Sequence, residues 1–536
     1  MRTVVWLLAL AALARPQGFE IDGGRIRAHT EFLAGDLLEG RGVGTRGGAL
    51  TTQYLATQLE LAGARPAGDD GTWFQRVPLT GVETQPGAAL TFTSKHGSTT
   101  LRWLDDFVGV SQQQQPKTDF DAEVVFAGHG ITAPEFNWDD YRDVDVRGKL
   151  VVVFTNEPPS KNQDFFAGPA LTYYGRWPYK YENALRHGAV GAIIIHTPAT
   201  AGYGWDVLRS SGHEDPQVKL AAGEVALAFA GWLTQQAGGH VALLAGKSVE
   251  KLLLMADGKG FRAFPLGVQV QCRFTSKVRD IESRNVAALI PGSDPRAREE
   301  AVIFTAHWDH LGVGEPVEGD RVYNGAVDNA TGCAMLLEIA RAWAALQQKP
   351  KRSALFLFTT AEEAGLRGAL YYAAHPLWPP GKTAFGINID AFFPAGLTRD
   401  IVVLGAERTT AWPLVQDVAR QYSLTVRSDP RPEQGSYYRS DHFALARIGI
   451  PAVSLKPGAA FEGKPPDYAL ALFQQYNTRR YHQPSDDYHD GWDFAGIEQG
   501  ARFAFALGTS AAAVDRLQSW QPGDEFLAAR ESSGVR

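Results

Sequence analysis

Apolar positions along this chain follow two alternating rhythms. Beyond residue 278, a near-continuous apolar run at 301–306 and largely apolar segments at 353–359, 385–389, 401–404 and 451–455 are separated by stretches whose apolar residues return every three or four positions. Runs of that length read as strands buried on both faces, and the 3.6-residue recurrence reads as amphipathic helix. The clearest helix follows Asn329, where Cys333, Leu336, Leu337, Ala340, Trp343 and Ala344 share one stripe. Helices are also predicted at 412–422 and 494–517. Strands and helices in turn predict an α/β fold: a mostly parallel mixed sheet with helices on both faces.

Two helical patterns come earlier, at 28–38 and at 47–62, where Tyr54, Leu55, Leu59 and Ala62 line one side. Alternating segments after Phe74 read as strands. The composition then changes: 121–127 (DAEVVFA), 148–155 (GKLVVVFT) and 188–196 (GAVGAIIIH) read as strands and 179–187 as a helix. The chain is longer than one hydrophobic core usually organises. The expected division is a smaller α/β unit over 120–273, inserted into a larger unit made of 19–119 and 274–536. Residues 1–18 read as a signal peptide: Arg2, an apolar run over 4–14, and the small-residue pattern Ala12-Leu13-Ala14. An exported protein, periplasmic or secreted, with no membrane span after cleavage is the expectation, and an uncleaved anchor the alternative.

Charge removes one class of function. With 52 basic against 59 acidic residues and a net charge of −7, there is no polycationic face for nucleic acid. Cys272 and Cys333 are the only cysteines, too few for a cysteine metal site, so a metal would have to sit on histidines and carboxylates. Cys333 lies on the apolar stripe of its helix, which favours two buried thiols over a disulfide.

Three predicted strands run out into such residues: His307-Trp308-Asp309-His310, Ala361-Glu362-Glu363 and Asn388-Ile389-Asp390. In open α/β sheets, sites form beyond the carboxyl ends of the strands, so these three ends converge. Asp328 at the mouth of its helix faces the same crevice, and His482 lies in a late polar loop. Taken singly, each carboxylate is a helix cap or solvated group and each histidine an ordinary residue. Their joint placement predicts a metal site. His310 is expected to point away if the strand end is regular. His442 reads as structural, and His29, His129, His187 and His213 as ordinary.

HWDHLG at 307–312, NGAVDNATG at 324–332, AEEAGLRGALYY at 361–372, NID at 388–390, YYRSDHFALARIGIPAV at 437–453 and YHQPSDD at 481–487 together resemble the co-catalytic di-zinc aminopeptidases. These are relatives of the bacterial leucyl aminopeptidases, glutamate carboxypeptidase and the transferrin receptor. The inserted unit resembles the protease-associated domain. The resemblance implies two Zn2+ per chain. His307 and Asp390 would hold one and Glu363 and His482 the other, with Asp328 bridging. Asp309 would orient the His307 imidazole and Glu362 would be the general base. A phenol would help stabilise the oxyanion, from Tyr437 or Tyr438, unless both simply pack. The substrates implied are peptides with a free N-terminus, whose ammonium complements Glu362, Glu363 and Asp390. Three alternatives share the scaffold. One is a single-zinc glutaminyl cyclase. Another is a binding protein of the transferrin receptor kind. The third is a carboxypeptidase or dipeptidase, for which Arg439, Arg447, Arg479 or Arg480 would meet a substrate carboxylate. Trp308, Phe392 and Phe393 either line a side-chain pocket or pack beneath the site.

Overall fold

The computed structural model describes residues 21–210 and 214–535, so the expected signal peptide and His213 lie outside the described residues. The larger sheet runs in the order Glu214–Val218, Phe74–Thr84, Phe264–Ile290, Ser353–Thr359, Ala301–His307, Thr383–Ile389, Ala452–Pro457, Asp400–Leu404, Thr425–Arg427. Its middle four strands are parallel. Ala301–His307, Ser353–Thr359 and Thr383–Ile389 are buried along their whole length, as continuous apolar runs require when helices cover both faces.

On one face lies the helix Thr331–Ala344, with only Arg341 and Ala344 not fully buried. It is wedged against Gly23–Leu33 and Ala495–Ala513, and Trp343, Phe304, Phe356 and Leu507 fill the core between them. Gly23–Leu33 is capped by Asp22, whose side chain accepts the Gly24 N–H, and Arg46–Leu61 by Thr45, which accepts that of Gly48. The opposite face is closed by Arg367–Ala374 and His442–Arg447 over Leu355, Leu357, Tyr372 and Leu445. The mostly parallel mixed sheet between helices is the fold class the pattern predicted.

The second sheet belongs to the smaller unit. Lys117–Phe126, Leu150–Phe154, Gly191–Ile195 and Phe229–Leu233 are parallel neighbours, and Phe107–Val110 joins antiparallel. Phe107–Val110 and three further strands fall on the other side of the expected division. Ala89–Ser94 and Gly97–Arg102 pair into this smaller sheet, because Leu90, Phe92 and Leu101 alternate into its core. Glu214–Val218 lies at the edge of the larger sheet instead. The predicted junction at 273/274 falls inside one strand, Phe264–Ile290, of 27 residues. Its first part pairs with Ala89–Ser94 and Lys117–Phe126, its middle with Phe74–Thr84, and its end with Ser353–Thr359. Both cysteines are free and buried, and the Cys333 thiol donates to the His307 carbonyl.

Candidate metal centre

Three parallel strands deliver the chemistry at their carboxyl ends. His307 closes Ala301–His307, Glu362 and Glu363 follow Ser353–Thr359, and Asp390 follows Thr383–Ile389. Asp328 lies in the turn Ala326–Ala330, which leads into the long helix, and His482 in the loop after Tyr468–Arg479. Ala361, Ala391 and His482 all have φ between 51° and 57°. Non-glycine residues enter that left-handed region only where surroundings impose it, and here each turn lies beside or within the cluster.

All five expected ligand residues come together. His307 Nε2 is 3.1 Å from Asp328 Oδ1 and 3.4 Å from Asp390 Oδ1. His482 Nε2 is 2.9 Å from Glu363 Oε2 and 3.7 Å from Asp328 Oδ2. One donor atom each from His307, Asp328 and Glu363 lie within 4.8 Å of one another. Two imidazoles and three carboxylates form the nitrogen–oxygen donor set that zinc accepts. Three acidic groups this close, with a single lysine, Lys456, 3.8 Å from Asp390 Oδ2, fit cationic occupants.

The electrostatics are those of a buried, acidic site. Burial drives the Glu362 carboxyl well above its usual range; His307 opposes this, and Glu363, Asp390 and Asp441 add to it. For Glu363, the His482 and His310 imidazoles outweigh burial and hold it well below. Asp390 is held low against burial by Lys456, His307 and Ser440. The His307 imidazole is pushed well above its usual value, because Glu362, Asp328 and Asp390 outweigh burial.

Neighbouring groups fix the loops. Asp486 accepts the N–H groups of Val327 and Asp328 at 3.2 and 3.1 Å and the Tyr476 hydroxyl at 3.2 Å, joining the His482 loop to Asp328. Asn329 donates to the Ile389 carbonyl and accepts from Ala391, joining the Asp328 turn to Asp390. The buried Arg41 guanidinium donates to the carbonyls of Trp308, Leu33, Asn324 and Gly325.

Other expected residues sit differently. The group nearest His307 Nδ1 is the Asp309 carbonyl, at 3.2 Å, with the Asp309 carboxylate at 3.9 Å. Asp309 Oδ1 accepts the Glu362 N–H at 3.2 Å, so the side chain reaches the Glu362 backbone as well as the imidazole. Tyr437 and Tyr438 point elsewhere: Tyr437 donates to the Ala452 carbonyl at 3.0 Å and Tyr438 to Glu525 at 2.7 Å. The phenol beside the cluster is Tyr481, which the sequence reading passed over. Its ring lies 4.0 Å from that of His482, and burial, Asp328 and Glu363 together raise its hydroxyl pKa well above normal. The signal was adjacency to His482, an expected ligand. His310 does not point away: its Nδ1 is 2.5 Å from Glu363 Oε1. Trp308 and Phe392 are core, against Gly48 and Gly500, whereas Phe393 is half-buried and faces Phe473 and Tyr476.

The smaller unit reaches the same cleft. Trp177 lies over Gly365, in the turn that carries Glu362, and the Leu171 N–H donates to Pro432. Arg176 is next to Arg439 and to the Tyr203 and Tyr481 phenols, and its Nε is buried with no hydrogen-bond partner among the described residues.

Residues 285–504 match the profile of peptidase family M28, a segment that contains all five expected ligand residues together with Glu362 and Tyr481. The match agrees with the resemblance to the zinc aminopeptidase superfamily read from the motifs. Among curated proteins, the chain is 28% identical over 221 residues to aminopeptidase NAALADL1 of Rattus norvegicus, covering 40% of this chain and 26% of that protein. It is 28% identical over 172 residues to the vacuolar membrane protease of Schizosaccharomyces japonicus, 32% of this chain and 16% of that protein. The chain thus spans about a quarter or less of these relatives' lengths. The fold is shared with the aminopeptidase from Aneurinibacillus sp. strain AM-1, at TM-score 0.51 and 19% identity over 94% of this chain and 95% of that one.

Proposed function

We propose that this chain is an exported two-zinc metallopeptidase that removes N-terminal residues from peptides. The observation that carries the reading is Asp328, with Oδ1 3.1 Å from His307 Nε2 and Oδ2 3.7 Å from His482 Nε2. One carboxylate with an oxygen towards each half of the cluster is what a shared bridging ligand requires. His307 and Asp390 would hold one zinc, Glu363 and His482 the other, and the pair would supply Lewis acidity and an acidified water.

The protein's own groups do the rest. Glu362, buried beside Glu363 and Asp390, takes the proton of the attacking water and returns it to the leaving amine. Asp309 holds the Glu362 backbone through its N–H. Tyr481 donates its hydroxyl to the carbonyl oxygen as negative charge develops there. The substrate's N-terminal ammonium complements the acidic groups.

The test is zinc content together with hydrolysis of leucine p-nitroanilide and its N-acetylated form, for wild type and Glu362→Gln. Near two zinc per chain, preference for the free amine, and a loss of about 10²–10⁴-fold in the variant with zinc retained support the reading. Zinc-free or amine-indifferent protein overturns it.

A second reading concerns the far end of the substrate. Arg176 with its unpartnered Nε, next to Arg439, supports recognition of a substrate carboxylate, hence action on dipeptides or as a carboxypeptidase. Burial and Arg439 both disfavour the Arg176 charge, and an anion would relieve that.

A further inference from the structure

His310 follows His307 by three residues, yet its ring turns into the cluster. Its Nδ1 lies 2.5 Å from Glu363 Oε1, while His482 Nε2 lies 2.9 Å from Glu363 Oε2. Each oxygen of Glu363 therefore has its own imidazole. The His310 side chain is fully buried, and its Nε2 has no hydrogen-bond partner among the described residues. A buried histidine that only packs would be expected to satisfy its ring nitrogens from the main chain. Its ring has a single hydrogen bond among the described residues, and that goes to a carboxylate. A ring so placed carries its proton on Nδ1 and donates it.

The seat of the ring is built. Gly325 has φ +58°, and a Cβ there would come 2.4 Å from the His310 ring Cγ, so only glycine leaves room. The backbone is pinned as well: the His310 N–H donates to the Arg41 carbonyl at 3.4 Å, and His310 bridges Gly42.

We propose that His310 is a positioning residue for Glu363: it occupies Oε1, so that Oε2, on the His482 side, is the one oxygen Glu363 offers to a metal. The proposal rests on the reading of Glu363 as a zinc ligand. A carboxylate that binds through both oxygens fills two coordination positions. Held to one, it leaves a position free, as catalytic zinc sites need. Partners that orient a ligand in this way contribute strongly to metal affinity.

The experiment compares wild type, His310→Ala and His310→Asn. Zinc affinity is read by competition with a chromogenic chelator, and coordination by the visible absorption of the cobalt-substituted proteins. Melting of the zinc-free forms reports the fold. The alanine variant is expected to bind one zinc about 10–100-fold more weakly with altered cobalt bands. Asparagine, whose amide nitrogen can take the place of ring Nδ1, should restore most of the affinity. An alanine variant with wild-type zinc affinity and cobalt spectrum overturns the proposal. So does equal weakening in both variants, which would mean that the lost ring volume and not the lost donor is responsible. Wild-type protein that binds no zinc would instead sink the peptidase reading itself, a result visible before any variant is made.

Discussion

The rings of Tyr481 and His482 lie 4.0 Å apart, centroid to centroid, at 34° to one another. Neighbours in sequence, they place a phenol and an imidazole on the same side of the cleft, where burial, and after it Asp328 and Glu363, suppress ionisation of the phenol. A protonated hydroxyl held there can donate to an oxyanion. Tyr481→Phe should lower kcat by about 10²–10³-fold, leaving KM and zinc content near wild type. Tyr437→Phe and Tyr438→Phe, whose hydroxyls are engaged by Ala452 and Glu525, should keep kcat. Steady-state kinetics on the three variants checks the assignment, and the reverse ranking would refute it.

Arg176 allows a sharp test of the second reading. If it meets a substrate carboxylate, Arg176→Gln should raise KM for Leu-Gly about 10-fold or more, the loss expected for one charge-assisted pair. The p-nitroanilide, which has no carboxylate, should be unaffected. Equal effects on both substrates would mean that Arg176 only braces the smaller unit.

Arg41 donates to four carbonyls beside the histidine and Asp328 loops, with no direct carboxylate partner among the described residues. Removing it leaves buried acceptors unsatisfied, so Arg41→Met should cost about 3–5 kcal/mol of stability. Urea titration measures this directly. A cost below about 1 kcal/mol, the value of one ordinary hydrogen bond, would show that water replaces the guanidinium.

His196 gives a pH dependence outside the metal cluster. Burial, with Trp205 and Trp232 around the ring, lowers its pKa below the ordinary 6.5, and its Nε2 pairs with the Tyr203 carbonyl at 3.0 Å. A depressed folded pKa means that its contribution is present above pH 6.5 and lost as the pH falls through the folded value. His196→Gln should therefore melt closer to wild type at pH about 5 than at pH about 7.5. A constant difference across that range would exclude the titration.

Much of the site was readable because a parallel sheet sends its strand ends to one edge: once 301–306, 353–359 and 385–389 read as strands, His307, Glu363 and Asp390 are brought to the same edge. Residues set by loop conformation were not readable. His310 was expected to face away because the strand was continued as regular, whereas the chain leaves it at His307. Tyr481 and Asp486 depend on a loop in which His482 itself is left-handed, and no periodicity reports that. No periodicity or motif marks Arg41, which owes its place to the carbonyls that the surrounding loops turn towards it. The division of the two units was misplaced at both ends for a related reason. Residues 276–284, rich in charge, are paired strand, held by Phe74–Thr84.

That strand sets a parity rule for the whole molecule. In one continuous extended segment, Val270 faces Phe92 in the smaller sheet and Val286 faces Phe358 in the larger. Side chains alternate faces residue by residue, so a single inserted or deleted residue between these points would turn one unit's inward positions outward. Two residues could be absorbed as they stand, one only with a β-bulge, like the register shift this strand already carries between Pro265 and Gln269. The smaller unit can therefore drift, shrink or be exchanged by even steps along this segment, or by odd steps that bring a bulge with them, whatever happens to the loops that carry the chemistry.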